Sequence, residues 1–200
     1  MASTAADDEA IAGAKRMLRE AVLLRRESRS PEQRTRDDEA RLAVVVTALE
    51  GRLPPTVAAY LSAGAEPGTL QLVAWLAAHG VRVLLPVLSR GRTPAWAAYA
   101  GPDALRLGRH GILEPATDPL PEDGLAEAGL VIAPALAANS DGDRLGRGGG
   151  WYDRALAHAA PGVPVWVLLN TDEVLSAIPV HAWDRPVDAL VTPAALLRCR

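Results

Sequence analysis

Five short apolar runs set the limits on what this chain can fold into: residues 56–61 (TVAAYL), 81–87 (VRVLLPV), 130–133 (LVIA), 163–169 (VPVWVLL) and 188–191 (DALV). Each reads as a strand, and helical patterns fall among them. From residue 9 to 27 the apolar positions Ile11, Ala14, Leu18, Ala21, Val22 and Leu24 recur at helical spacing. Ser30 reads as the N-cap and Pro31 as the first residue of a second helix that runs to about Leu49, where Gly51 and Pro54-Pro55 end it. Residues 70–79 form a third, closed by Gly80, and residues 151–160 (WYDRALAHAA) a fourth. Two short antiparallel strands are predicted at 96–99 and 105–107, and an irregular, proline-rich stretch opens at 111–115. Strands alternating with helices predict an α/β fold, a single three-layer α/β/α domain with a mostly parallel sheet. Ligands collect at the carboxyl ends of such strands.

At 200 residues the chain is long enough for one domain with a sizeable core, placed at residues 9–200, with a disordered stretch at residues 1–8. A net charge of −3 gives no general basic surface, which argues against bulk nucleic-acid binding. No apolar run reaches the ~18 residues of a membrane span, and the acidic start MASTAADDEA is no signal peptide. The single cysteine, Cys199, allows no internal disulfide framework and makes a cytoplasmic setting the simplest expectation.

The densest chemical signal is residues 141–153, DGDRLGRGGGWYD. Gly146, Gly148, Gly149 and Gly150 carry no Cβ, so the backbone can turn its N–H groups toward an anion at close range. Arg144 and Arg147 flank them with planar cationic forks that suit phosphate oxygens. The following helix would aim its N-terminus at the same anion. Trp151 follows Gly150 where a P-loop needs lysine and a hydroxyl residue, so that motif is excluded. Asp153 is a helix-start carboxylate or a Mg²⁺ ligand, and Asp184 a turn carboxylate or a second ligand. Trp151 and Tyr152 suit a core or a stacking platform for a planar ligand.

Three further positions carry chemistry. Lys15 is the only lysine among 21 basic residues, and a mobile ammonium can follow a phosphoryl group; composition alone still favours a solvated helix face. Glu66 stands at a strand end, where it interacts with a helix dipole or accepts two parallel N–H donors from a pterin or guanine edge. His110 and His181 stand in loops without a second His or Cys at ligand spacing, which argues against zinc.

RLGRGGGWYDR, preceded by VIAPAL and followed by IPVHAWDRPVDALVT, resembles the 5-formyltetrahydrofolate cyclo-ligase family, also called methenyltetrahydrofolate synthetase. AKRMLR at residues 14–19, YLSAGAEPGT at 60–69 and GILEP at 111–115 extend the likeness over nearly the whole chain. The resemblance implies a Mg²⁺- and ATP-dependent ligase that converts 5-formyltetrahydrofolate to 5,10-methenyltetrahydrofolate, acting on small molecules without nucleic-acid or membrane partners. It implies that Lys15, Arg16, Arg19, Arg144, Leu145, Gly146, Arg147, Gly148, Gly149, Gly150, Trp151 and Tyr152 bind ATP, with Lys15, Arg144 and Arg147 catalytic. It also implies that Leu61, Glu66 and residues 147–151 bind the folate, and that Asp153 and Asp184 hold Mg²⁺. The family commonly has Phe-Asp where Ala138-Asn139 stand, a second Tyr at Trp151, and often a polar residue or His at Trp183. The Ala138-Asn139 and Trp183 departures motivate an alternative, a non-catalytic folate- or nucleotide-binding regulator that kept the fold.

Overall fold

The structure, a computed structural model, describes residues 5–88, 93–121 and 123–200. Its strands among these residues are β1 (Thr56–Ala58), β2 (Arg82–Val87), β3 (Ala95–Ala98), β4 (Leu105–Leu107), β5 (Leu113–Pro115), β6 (Leu130–Pro134), β7 (Ala137–Ala138), β8 (Arg144–Leu145), β9 (Val165–Leu168), β10 (Ala189–Val191) and β11 (Leu196–Arg198). Seven of them form one sheet in the order β11-β10-β9-β6-β1-β2-β3. Its five inner strands, β10-β9-β6-β1-β2, run parallel. Each edge strand, β3 and β11, is antiparallel to its neighbour. The mostly parallel α/β sheet expected from the sequence is therefore present.

Strand alternation divides the core in two. Val57, Val83, Leu85, Leu130, Ile132, Trp166, Leu168, Ala189 and Val191 face one side and pack with Val45 and Leu49 of α2 (Pro31–Leu49) and Leu72, Val73 and Leu76 of α3 (Leu70–Ala78). The intervening Ala58, Leu84, Val131, Ala133, Val165, Val167 and Leu190 face the other side. They pack there with Leu125 and Ala128, and with Ala155 and Leu156 at the end of α4 (Trp151–Ala155). The period of two along a strand sends successive side chains to opposite faces. Strands covered on both sides therefore read as unbroken apolar runs.

The long first helix, α1 (Ala5–Glu27), has a different footing: its Val22 packs with Leu136, Ala137, Leu145 and Ile178, around the β7–β8 hairpin. Two buried arginines tie the helices to strand ends. Arg26 of α1 holds Glu173 through Nε (2.7 Å) and Nη2 (2.8 Å) and donates to the carbonyl of Ala135, just past β6 (2.7 Å). Arg41 of α2 donates to the carbonyl of Leu169 (3.1 Å) and to Asn170 Oδ1 (3.0 Å), just past β9. Removing one partner of a buried ion pair typically costs about 3–5 kcal/mol. Arg26 is therefore a strong constraint on where α1 lies, and α1 carries Lys15 and Arg19.

Ser30 caps α2 as expected, its Oγ accepting from the Gln33 amide (3.2 Å) with Pro31 at the first position. Five segments differ from the sequence reading. Of residues 1–8, expected disordered, 5–8 are helical, where alanines with Asp7 and Asp8 in the first turn suit a helix N-terminus, and 1–4 lie outside the described residues. Residues 113–115, expected irregular, form β5, where Pro115 is tolerated because β4–β5 is only two strands wide. The helix expected over 151–160 is α at Trp151–Ala155 and tightens to a 3-10 turn at Leu156–His158. The β7–β8 hairpin and β11 were not anticipated; two or three residues are too few to show a period.

Candidate active site

The parallel strands end on a cavity of about 470 Å³. Tyr60 and Leu61 reach it from beyond β1, Pro86 and Leu88 from the end of β2 and just past it, and Pro134, Ala135 and Leu136 from the end of β6 and just past it. Across its mouth lie Ala12, Lys15 and Arg19 of α1, the loop 144–153, and His181, Trp183 and Asp184 from the segment before β10. Of the residues assigned from sequence, only Arg16 does not line this cavity: it points to solvent from α1. Glu66, distant in sequence from the glycines, lines it with them.

The glycine loop is shaped by its neighbours. Gly148 has φ +96°, and a Cβ there would come 3.3 Å from the guanidinium carbon of Arg19. Gly150, at φ +61°, turns the chain into α4. Both angles are left-handed backbone that L side chains rarely adopt. Arg19 Nε in turn donates to the Gly146 carbonyl (2.9 Å), fastening the loop to α1. Since α4 spans only five residues, positive potential here comes chiefly from side chains: Lys15, Arg19, Arg144 and Arg147.

Each carboxylate in the cavity is matched with a cation. Arg144, buried, holds Asp153 Oδ1 through Nη2 at 2.5 Å, while its buried Nε has no protein partner. Arg147 Nε holds Glu66 Oε1 (2.7 Å), and the other Glu66 oxygen accepts from the Ala63 amide (2.9 Å). Lys15 is 6% exposed, so the solvated-face reading of this residue fails. Its Nζ pairs with Asp184 Oδ2 and lies 2.9 Å from His181 Nδ1. Burial works against an ionised Asp184, but the hydrogen bonds from Lys15 and from the His181 amide (2.8 Å) outweigh it and hold the carboxyl below its usual range.

Two lining residues, Tyr60 and Tyr152, have buried hydroxyls with no protein partner. Burial pushes both phenols well up, and the Glu66 carboxylate adds to the shift. The ring of Tyr152 packs beside Trp151 (centroids 4.8 Å), and both lie edge-on to Trp96. These aromatics thus serve the core and the cavity wall together. A buried hydroxyl without a partner destabilises the fold. Tyr60→Phe is therefore expected to raise the melting temperature, by about 2–4 °C if the relief is ~1 kcal/mol in a chain of this length. A lower melting temperature in a thermal scan would show that the hydroxyl is satisfied in solution.

Sequence reasoning passed over Tyr60, which stands in a strand end otherwise read as core, and His181, which lacked a ligand-spaced partner. Ala138 and Asn139 do not line the cavity; Asn139 Oδ1 accepts from the amides of Asp141 (3.0 Å) and Asp143 (2.9 Å), organising the β7–β8 turn. That departure from the family pattern falls on a structural turn. Among the described residues no helix is long and apolar enough to cross a membrane, and no group of three or more His, Cys, Asp or Glu is placed to hold a metal ion.

The model of the 5-formyltetrahydrofolate cyclo-ligase family matches residues 11–193. The 5-formyltetrahydrofolate cyclo-ligase of Mycolicibacterium smegmatis is 38% identical over 143 residues, 69% of this chain and 73% of that one. That of Escherichia coli K12 is 32% identical over 181 residues, 85% of this chain and 95% of that one. The solved structure of 5,10-methenyltetrahydrofolate synthetase from Aquifex aeolicus superposes with a TM-score of 0.81 at 28% identity, covering 93% of each chain. A family match over most of the sequence, two relatives named for one activity and a shared fold lead to one conclusion: the chain belongs to the 5-formyltetrahydrofolate cyclo-ligase family, whose members are ligases acting on a folate.

Proposed function

We propose that the protein transfers the γ-phosphoryl group of ATP to the formyl oxygen of 5-formyltetrahydrofolate and then closes the ring to 5,10-methenyltetrahydrofolate. The observation that carries this is the meeting of Lys15, Arg19, Arg144 and Arg147 with Glu66 in one cavity, cations for a triphosphate beside a carboxylate for a pterin edge. The formyl oxygen is a poor leaving group. Its attack on the γ-phosphorus expels ADP and makes it part of a phosphate ester. The N10 lone pair then attacks the activated carbon, the C–O bond breaks toward phosphate, and N10 gives up its proton.

No side-chain nucleophile is required, so the protein contributes position and charge. Lys15, Arg144 and Arg147 spread the charge of the moving phosphoryl group, and Arg19 with residues 144–152 cradles the nucleotide. Leu61, Glu66 and residues 147–151 seat the folate. Mg²⁺ fits the donor set as a nucleotide-borne ion: Asp153 and Asp184 each have one oxygen engaged by a cation and a second without a protein hydrogen bond, and Mg²⁺ usually takes one or two carboxylates beside phosphates and waters. When bound, the ion would neutralise the negative charge that develops on the transferring phosphoryl group.

Absorbance at the methenyl band, with purified protein, 5-formyltetrahydrofolate, ATP and Mg²⁺, tests the reading. Product formed with ATP omitted would overturn it. A second expectation concerns Glu66→Gln. The amide keeps one acceptor but sets its own N–H against the second pterin donor, so the KM for folate should rise about 10-fold while the KM for ATP stays within about twofold. Equal rises for both substrates would move Glu66 out of the folate subsite.

A further inference from the structure

We propose that His181 is a positioning residue for Lys15, the acceptor that fixes the direction in which the ammonium points. The proposal rests on Lys15 acting in the phosphoryl transfer described above. An ammonium carries three donors and no acceptor. In this cavity two of the three are taken, one by Asp184 Oδ2 and one by His181 Nδ1 at 2.9 Å. A carboxylate alone would hold the cation close yet let it swing. A second acceptor, on a ring that is itself held, removes that freedom and leaves one N–H for a ligand.

The contact also decides the tautomer of the ring. Because Lys15 can only donate, Nδ1 presents its lone pair and the ring proton sits on Nε2. Nε2 in turn faces the carbonyl oxygen of Asp8 at 3.4 Å, which accepts. Asp8 and Lys15 are seven residues apart, two helical turns on one face of α1, so both edges of the imidazole are read by the same helix. Its plane is set from a third direction by Trp183, stacked at 4.4 Å and 8°. The backbone of His181 donates to the carboxylate that Lys15 holds (2.8 Å). Trp183 is 64% exposed, a large apolar surface left in water; bracing His181 gives it a role that core packing does not.

The alternative is that His181 simply pins residues 181–184 to α1, and substitutions separate the two. His181→Phe keeps a ring for Trp183 to stack on and removes the acceptor. His181→Asn loses the ring but places Oδ1 near the position of Nδ1. If His181 positions Lys15, the Phe variant loses 10-fold or more in kcat with the KM for ATP within twofold, and the Asn variant stays within about threefold of the parent. A pin predicts the reverse order, with activity following the melting temperature. Parental kcat in His181→Phe, or an Asn variant as slow as Phe, overturns the proposal. Should the Phe variant not fold, His181→Gln replaces it, because its amide reaches toward Nε2 rather than Nδ1 and should be as slow. A parent that makes no methenyl product overturns the phosphoryl-transfer reading and this one with it. An active parent with an insensitive His181 overturns this one alone.

Discussion

Lys15→Arg should lower kcat and kcat/KM together by a factor on the order of 10², the loss expected if the ammonium contributes about 2–3 kcal/mol to the transition state alone. Charge is conserved in this variant, so electrostatics at a distance predicts little change. Geometry predicts a large one. Lys15 is buried between Asp184 and His181, which suit a compact ammonium. A guanidinium is planar and wider, and it cannot present one nitrogen to Asp184, His181 and a phosphoryl oxygen at once. Lys15→Ala should be at least as slow. It also leaves Asp184 without its cation, but that side chain is 17% exposed and keeps the His181 amide, so the stability loss should be modest. Kinetics at saturating folate with ATP varied, alongside a thermal scan, checks this. Parental kcat in the Arg variant would mean that Lys15 only balances Asp184.

The burial of Lys15 shows where sequence reading stops. Its rarity among the basic residues was visible, and so was its place on an amphipathic helix. Whether that helix faced water or a cavity depended on Arg26 finding Glu173 at 147 residues' separation, and no local period encodes such a contact. The inner strands were legible because burial on both faces leaves continuous apolar runs, and α2 because its cap is local chemistry. The β7–β8 hairpin was not: its strands are two residues each, and its turn depends on Asn139 bonding backbone amides within four residues. It is this hairpin that delivers Arg144 to the cavity. In the site, residue types were legible and pairings were not. Glu66 was legible as an acceptor for paired donors, yet its partnership with Arg147 spans 81 residues, and the role of His181 exists only once Lys15 is beside it.

The pairing of Asp153 with Arg144 changes what removing its charge should do. Were Asp153 only a metal ligand at a helix start, Asp153→Asn would alter Mg²⁺ dependence and leave folding untouched. In this structure it is also the ion-pair partner of a buried guanidinium whose Nε already lacks one. Stripping the partner from a buried charge costs about 3–5 kcal/mol. The asparagine oxygen keeps one acceptor in place and should hold the loss to roughly 1–2 kcal/mol. The expected result is therefore double: a melting temperature lower by several degrees, and a half-saturating Mg²⁺ concentration about 10-fold higher at fixed ATP. Arg144→Gln separates the two causes. It removes the cation, frees both Asp153 oxygens and leaves the carboxylate available to a metal, so it should weaken ATP binding without raising the Mg²⁺ requirement. If the Mg²⁺ titration of Asp153→Asn overlays that of the parent, Asp153 serves Arg144 alone. If Arg144→Gln shifts the titration as far as Asp153→Asn does, the pair acts as one phosphate-binding unit and the ion is held elsewhere.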